Sequence, residues 1–158
     1  GTTFADALKE AQEKGYAEKD PTADIEGHDT RRKIAILSSL CFGKVVDDSQ
    51  IPTEGITKVT LDDIAAAEKQ GCVIKLIGHS KKNPDGSIFA EVKPMLLPKD
   101  NPLSGIEGVF NGILINGSVT GDVMFYGRGA GKKPTASAVI ADVVDIIRNG
   151  NTNAPYWE

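Results

Sequence analysis

Acidic residues and one lysine between positions 18 and 33 form the stretch of the chain best suited to chemistry. Asp29 and Lys33 are four residues apart, so on a helix they share one face. Carboxylates such as Glu18 and Asp29 can hold an amino group, and a lysine ammonium can give a proton to an oxygen on which negative charge develops. An ordinary surface ion pair explains the spacing of Asp29 and Lys33 at least as well.

A second stretch, rich in glycine, runs from Gly127 to Lys133 and joins a predicted strand to a predicted helix. Glycines let a ligand approach the backbone closely, and the free N–H groups at a helix start attract anions. The spacing is G-x-G-x-G, which differs from the dinucleotide fingerprint G-x-G-x-x-G. A tight connection between strand and helix therefore accounts for these glycines as well as a binding role does.

The same stretches resemble homoserine dehydrogenases. Residues 15–37 (GYAEKDPTADIEGHDTRRKIAIL), read with YGRGAG at 126–131 and PTASA at 134–138, are similar to the substrate-binding and dimerisation domain of that family. The resemblance extends from about residue 2 to about residue 148. The nucleotide-binding domain that such enzymes carry is not predicted here, because no strand leads into G-x-G-x-x-G. We expect the chain to be one domain of a larger enzyme.

The resemblance implies the reversible reduction of L-aspartate 4-semialdehyde to L-homoserine with NADP or NAD as the cofactor. It places Glu18 and Asp29 on the substrate and makes Lys33 the catalytic residue that delivers the proton. Asp24 is a further substrate-binding candidate, which contacts the substrate or orients Lys33. Asp20 and Glu26 are expected to be structural.

The resemblance also implies that Gly129, Ala130 and Gly131 touch the nicotinamide end of the cofactor. The residue that distinguishes NADP from NAD would lie in the other domain. No metal site is predicted. Because hydride transfer needs cofactor and substrate held in contact, the isolated chain is expected to show no useful turnover.

A different class of function stays open, namely a non-catalytic dimerisation or amino-acid-binding module. The predicted strand segment from residue 73 to residue 92 could pair with a second copy across a two-fold axis, since exposed strand edges favour such pairing. We therefore expect a homodimer as well as a small-molecule ligand.

Composition limits the number of domains and the kinds of partner that the chain can have. The chain has 158 residues, 40% of them hydrophobic, and a net charge of −4. This predicts one domain over residues 1–150, followed by a polar tail at 151–158. The acidic balance argues against a nucleic-acid surface, and no apolar run or leader indicates a membrane or export, so a cytoplasmic protein is expected. Cys41 and Cys72 are expected to be buried thiols.

Hydrophobic periodicity predicts an α+β fold, with a mixed, largely antiparallel β-sheet and helices packed on one face. In the second helix, Ile34, Leu37, Leu40 and Cys41 are expected to form a buried stripe. A turn is predicted at Asn116-Gly117-Ser118. Thr60 is predicted to cap the start of the helix that follows it. The predicted helices cover residues 4–14, 27 or 29 to 42, 61–70 and 135–148, and the predicted strands cover 73–79, 88–94, 108–115 and 119–126.

Overall fold

A computed structural model describes residues 2–15, 17–129 and 131–150. The predicted polar tail at 151–158 lies outside these residues. The elements are helices α1 (Phe4–Glu13), α2 (Thr22–Ile25) and α3 (His28–Phe42), a short 3₁₀ helix (Asp48–Gln50), helix α4 (Leu61–Lys69), strands β1 (Cys72–Lys82), β2 (Ile88–Pro98), β3 (Phe110–Gly117) and β4 (Gly121–Arg128), and helix α5 (Lys132–Asn149).

The chain forms two compact units, one extending to Pro98 and the other beginning at Lys99. Each contains a two-stranded antiparallel sheet, β1 with β2 and β3 with β4. A parallel bridge joins Thr53 to Val92 of β2. Helices together with mainly antiparallel strands confirm the predicted α+β class.

In the first unit, α3 packs against β1 and β2, and α4 packs against β1. Gly78 makes the close approach of α3 possible, because a Cβ at that position would lie only 3.0 Å from Cβ of Ile34. Val92, which pairs with Gly78 across the sheet, is 1% exposed and forms a small core with Ala35 and Ile51. The helices therefore cover the face of the hairpin that carries Gly78 and Val92.

The predicted buried stripe of α3 is partly wrong. Leu40 is 49% exposed and Cys41 is exposed, while Cys72 is only half-buried. The buried positions of α3 are Ala35, Ser38 and Ser39. Small side chains fit where the helix lies close to the sheet, and the two serine hydroxyls donate to the carbonyls of Ile34 and Ala35, so their burial leaves no polar group unsatisfied.

Helix starts follow the predicted capping chemistry in α4. The hydroxyl of Thr60 accepts from the N–H of Asp63, and the Asp63 carboxylate accepts from the N–H of Thr60, which completes a capping box. Helix α5 begins at Lys132, three residues before the prediction. Pro134 is tolerated there because the first-turn N–H groups of a helix have no partner within it.

In the second unit, the predicted Asn116-Gly117-Ser118 turn is displaced along the chain. Strand β3 continues through Gly117, the turn comprises residues 118–120, and Gly121 has the left-handed φ of +68°. The side chain of Asn116 instead donates to the Asp122 carboxylate across the hairpin at 2.5 Å. This cross-strand bond stabilises the longer strands with a turn at 118–120, in place of a two-residue turn at Asn116-Gly117.

Candidate functional site

The acidic loop between α1 and α2 is anchored through its backbone. The side-chain amide of Gln12 donates to the carbonyl of Glu18 at 3.0 Å. At the end of the loop, Asp20 accepts hydrogen bonds from the hydroxyl and the N–H of Thr22, at 2.6 and 3.1 Å. These two bonds, the hydroxyl first, lower the pKa of Asp20 below its ordinary value. The contacts agree with the structural role expected for Asp20.

The turn between α2 and α3 packs tightly against β2 and against the loop at residues 55–56. Gly27, at the start of α3, is buried with a left-handed φ of +78°, and a Cβ there would lie 3.2 Å from a methyl carbon of Val92. The N–H of Ile56 donates to the carbonyl of Ile25 at 2.8 Å. A Cβ on Gly55 would overlap that same carbonyl. The start of α3 is therefore fixed by neighbours that leave no room for a side chain.

The first turn of α3 brings Asp29 and Lys33 together. Lys33 Nζ lies 2.7 Å from Asp29 Oδ2, and the two side chains are 42% and 53% exposed for Asp29 and Lys33 respectively. Arg31, between them in sequence, instead pairs with Asp48 of the 3₁₀ helix at 3.1 Å. Thr30 lies against Gly78 of β1. The helix thus directs one charged pair outward while its neighbours hold the helix in place.

The other two acids of the predicted site lie on neighbouring segments of the same unit. The side chain of Glu18 is exposed on the acidic loop, while its backbone carbonyl accepts from Gln12. Asp24 is exposed on α2. Their carboxylates are free to meet solvent or a ligand. Contact of Glu18 and Asp24 with one bound molecule stays a prediction.

The glycine-rich turn, defined here as residues 129–131, joins β4 to α5 in the second unit. The N–H of Gly129 donates to the carbonyl of Val109 at 3.0 Å. Gly131 has a φ of +120°, a conformation that disfavours any side chain. Ala130, the third residue expected to touch a cofactor, lies outside the described residues. A turn without large side chains ahead of an 18-residue helix is suited to close approach by a planar ring.

Two residues of these regions were missed by the sequence analysis. Gly55 supports the start of α3, and its only signal in the sequence is a lone glycine in a loop. Asn111 of β3 fills the space beside Gly129, where an added Cβ would overlap its side-chain amide. Register within the β3–β4 hairpin, which a single sequence does not fix, was needed to find that contact.

Residues 2–15, 17–129 and 131–150 contain no group of three or more histidine, cysteine, aspartate or glutamate side chains placed to hold a metal ion. No helix within those ranges is long and apolar enough to cross a bilayer.

Comparison with known proteins shows which family the chain is similar to. The family profile described as homoserine dehydrogenase matches residues 1–144. The homoserine dehydrogenase of Neisseria gonorrhoeae is 48% identical over 148 residues, a match that covers 94% of this chain and 34% of that protein. The chain thus spans about a third of the length of such curated relatives.

Solved structures give the same result. The crystal structure of a homoserine dehydrogenase from Thiobacillus denitrificans superposes with a TM-score of 0.89 at 40% identity, covering 99% of this chain and 37% of that one. A hyperthermophilic archaeal homoserine dehydrogenase in complex with NADPH superposes with a TM-score of 0.73 at 33% identity, covering 94% of this chain and 41% of that one.

Proposed function

Because the chain belongs to the homoserine dehydrogenase family, we propose that it is the substrate-binding and proton-donating part of an enzyme that interconverts L-aspartate 4-semialdehyde and L-homoserine with NAD(P)H. The observation that supports this most is the outward-facing pair of Asp29 and Lys33 at the start of α3. Glu18 and Asp24 belong to the same unit and add negative charge on the segments before it.

The semialdehyde carries an ammonium group, a carboxylate and an aldehyde. Glu18 and Asp29 accept hydrogen bonds from the ammonium, with Asp24 as the third candidate for this contact. Charge-assisted hydrogen bonds of this kind are stronger than bonds between neutral groups. Holding the ammonium in this way fixes the aldehyde relative to α3.

Lys33 is the proton donor in this proposal. When bound, NAD(P)H would supply the hydride that reduces the aldehyde carbon. The Lys33 ammonium gives its proton to the aldehyde oxygen as negative charge develops there, and it stabilises that charge during the transfer. In the reverse direction the neutral amine takes the proton back from the hydroxyl of homoserine.

The glycine-rich turn is the part of the chain that would meet the nicotinamide. Gly129 and Gly131 present backbone without side chains, and α5 starts directly after them. The residues present therefore fit a flat ring lying against the backbone. Whether NADP or NAD is used depends on contacts with the adenosine end, which we assign to the part of the relatives' length that this chain does not span.

Exposure of Asp29 and Lys33 supports the expectation that the chain alone does not turn over. Both side chains are about half in water, whereas hydride and proton transfer need a site that holds the reactants in contact and excludes solvent. We expect no oxidation of NADPH when the 158-residue chain is mixed with aspartate semialdehyde. Measurable turnover in that assay would contradict this expectation.

Replacing Lys33 tests the catalytic assignment. In the full-length enzyme, Lys33→Ala is expected to lower kcat by on the order of 10²- to 10⁴-fold, the usual contribution of a general acid, while homoserine binding stays nearly unchanged. The matched control is Lys14→Ala, because Lys14 forms the corresponding i, i+4 pair with Glu10 on the exposed surface of α1. Normal turnover by Lys33→Ala would remove Lys33 from the proposed mechanism.

The dimerisation module is the second candidate, and strand β1 supports it. The outer edge of β2 is engaged near Val92, which accepts from the N–H of Glu54 and donates to the carbonyl of Pro52. Strand β1 pairs only with β2 within the described residues. An open strand edge favours pairing with a second copy.

Light scattering tests the dimer directly. A homodimer has twice the 16.8 kDa of one chain. That mass together with an inactive Lys33→Ala variant supports an enzyme that is also a dimer. A dimer that retains full turnover after Lys33→Ala would favour the module without chemistry at α3, and a 16.8 kDa species at high concentration would exclude stable pairing through β1.

A further inference from the structure

We propose that Asn111 is a positioning residue for the glycine-rich turn, because its side-chain amide occupies the space beside the Cα of Gly129 and so sets where the backbone of Gly129 lies. This inference rests on the proposed function, in which the turn meets the nicotinamide. Asn111 itself touches neither substrate nor cofactor in this proposal and acts only through the backbone of Gly129.

Steric contact carries the inference. A Cβ built on Gly129 would overlap three atoms of the Asn111 side chain, Nδ2, Cγ and Oδ1. The φ of Gly129 lies outside the left-handed region, so its backbone conformation is open to alanine. A side chain at position 129 is therefore opposed by the neighbouring amide and not by the backbone conformation. Gly131 differs, because its φ of +120° is unfavourable for a side chain whatever surrounds it.

Gly127 provides an internal contrast. It is paired with Asn111 in the register of the hairpin, yet a Cβ on Gly127 would meet no atom within 4 Å. The Asn111 side chain thus lies toward Gly129 and away from Gly127. The contact is specific to the residue at which the strand becomes the turn.

The ends of β3 and β4 beside this contact are held by further contacts. A side chain that pushes against Asn111 would therefore shift the backbone of the turn more readily than the strands. The N–H of Gly129 donates to the carbonyl of Val109 at 3.0 Å. The ring of Phe110 stacks on Tyr126 at a centroid distance of 4.8 Å, and the guanidinium of Arg128 lies 5.1 Å from the centre of the Phe110 ring. A side chain added at Gly129 has to move either Asn111 or the turn, because the neighbouring strand positions are fixed.

Steady-state kinetics of the full-length enzyme with NADPH tests the inference. Gly129→Ala is expected to lower kcat/KM for NADPH by about ten- to a hundredfold, the usual effect of misplacing a reactant by about 1 Å. KM for L-aspartate 4-semialdehyde should change little. Asn111→Ala removes the amide that positions Gly129 and should lower kcat/KM for NADPH by a similar factor. In the double variant Gly129→Ala/Asn111→Ala, the new methyl group fills the space that the amide occupied. Its kcat/KM for NADPH should therefore return to within about threefold of the parent, a difference of roughly 0.65 kcal/mol.

Two matched controls accompany these variants. Gly127→Ala introduces the same methyl group two residues earlier into open space. Asn83→Ala removes an asparagine from the hairpin of the first unit, where its side chain donates to the hydroxyl of Ser87. Both controls should leave kcat/KM for NADPH unchanged. Melting temperatures of all variants show whether an effect comes from folding.

The outcomes separate the inference from the proposed function. Loss of kcat/KM for NADPH in Gly129→Ala with recovery in the double variant supports both. Loss in Gly129→Ala with unchanged NADPH kinetics in Asn111→Ala leaves the turn in its cofactor role and overturns the role of Asn111. A lowered melting temperature in Gly129→Ala with unchanged NADPH kinetics overturns the inference and also removes the turn from the proposed cofactor contact.

Discussion

The two candidate regions of the molecule differ in what they present to a ligand, which is side chains in one region and backbone in the other. At the start of α3, charged side chains point outward from a backbone that is tightly packed below them, with Gly27 and Gly55 leaving no space. At the glycine-rich turn, the backbone itself is presented, and one side chain, that of Asn111, supports it. In the first region the proposed chemistry belongs to side chains and the support to glycines, whereas in the second these roles are exchanged.

This difference predicts which substitutions separate function from folding. Replacing an acid or lysine of the first region should change ligand binding or chemistry and leave the fold intact, since Glu18 and Asp24 are exposed and the paired side chains of α3 are 42% and 53% exposed. Replacing a glycine below them should do the reverse. At the turn, a glycine substitution should reach the cofactor directly.

The largest effect is expected from Gly55→Ala. Its Cβ would overlap the carbonyl oxygen of Ile25, a backbone atom that cannot rotate away. We expect a loss of about 1–3 kcal/mol in the free energy of unfolding, the usual cost of overpacking. Urea unfolding of the chain, followed by circular dichroism, measures this loss.

Gly105→Ala is the matched control for Gly55→Ala, because a Cβ at Gly105 would meet open space and its φ is not left-handed. It should change the free energy of unfolding by no more than about 0.5 kcal/mol. Equal stability of the two variants would show that the packing of Gly55 against Ile25 is looser than the structure indicates. The first region would then not depend on a tightly packed backbone.

A smaller effect is expected from Glu18→Gln. Removing the charge while keeping the shape weakens one charge-assisted hydrogen bond to the substrate ammonium, so affinity for L-homoserine should fall by about tenfold, or about 1.4 kcal/mol. A titration followed by amide NMR shifts of residues 17–33 measures it. Glu13→Gln, an exposed acid near the end of α1, should bind homoserine as the parent does. Undiminished binding by Glu18→Gln would exclude Glu18 from the site.

The smallest effect is expected from acid titration of Asp20. Hydrogen bonds from Thr22 hold the pKa of Asp20 below its ordinary value of 3.8, so the folded state favours the carboxylate. The stabilisation is therefore present above pH 3.8 and is lost as the pH falls through the lower pKa of the folded state. The amide signal of Thr22 should shift with a midpoint below 3.8.

Two comparisons sharpen the acid titration. Asp20→Ala should abolish the shift at Thr22 while the capping box of Asp63, whose pKa is lowered in the same way by Thr60, still titrates. The amides of Gly129 and Gly131 in the glycine-rich turn should not respond. A titration at Thr22 that survives Asp20→Ala would assign it to another group.

Local sequence rules predicted most of the elements and one contact of the site. The spacing of Asp29 and Lys33 was enough to place them together, because helical geometry fixes which residues share a face. Thr60 was identified as a helix cap from the same kind of local rule. Such features depend only on neighbours within one turn.

Features that depend on distant neighbours were not predicted. The exposure of Leu40 and the burial of Ser38 depend on which side of α3 meets the sheet, and this is decided by Gly78 some forty residues later. The support of Gly129 by Asn111 depends on the register of β3 with β4, and the predicted turn at Asn116 gave another register. Both errors come from pairing between segments that one sequence leaves open.

Val92 has a further consequence for the order in which this protein can fold. Its side chain lies under Gly27, and its backbone bonds to Pro52 and Glu54, so three segments far apart in the chain meet at one residue. Contacts between such distant segments form slowly, because the loop between them has to close first. During synthesis, α3 leaves the ribosome long before Val92 does, and the proposed substrate helix can reach its final position only after β2 has emerged.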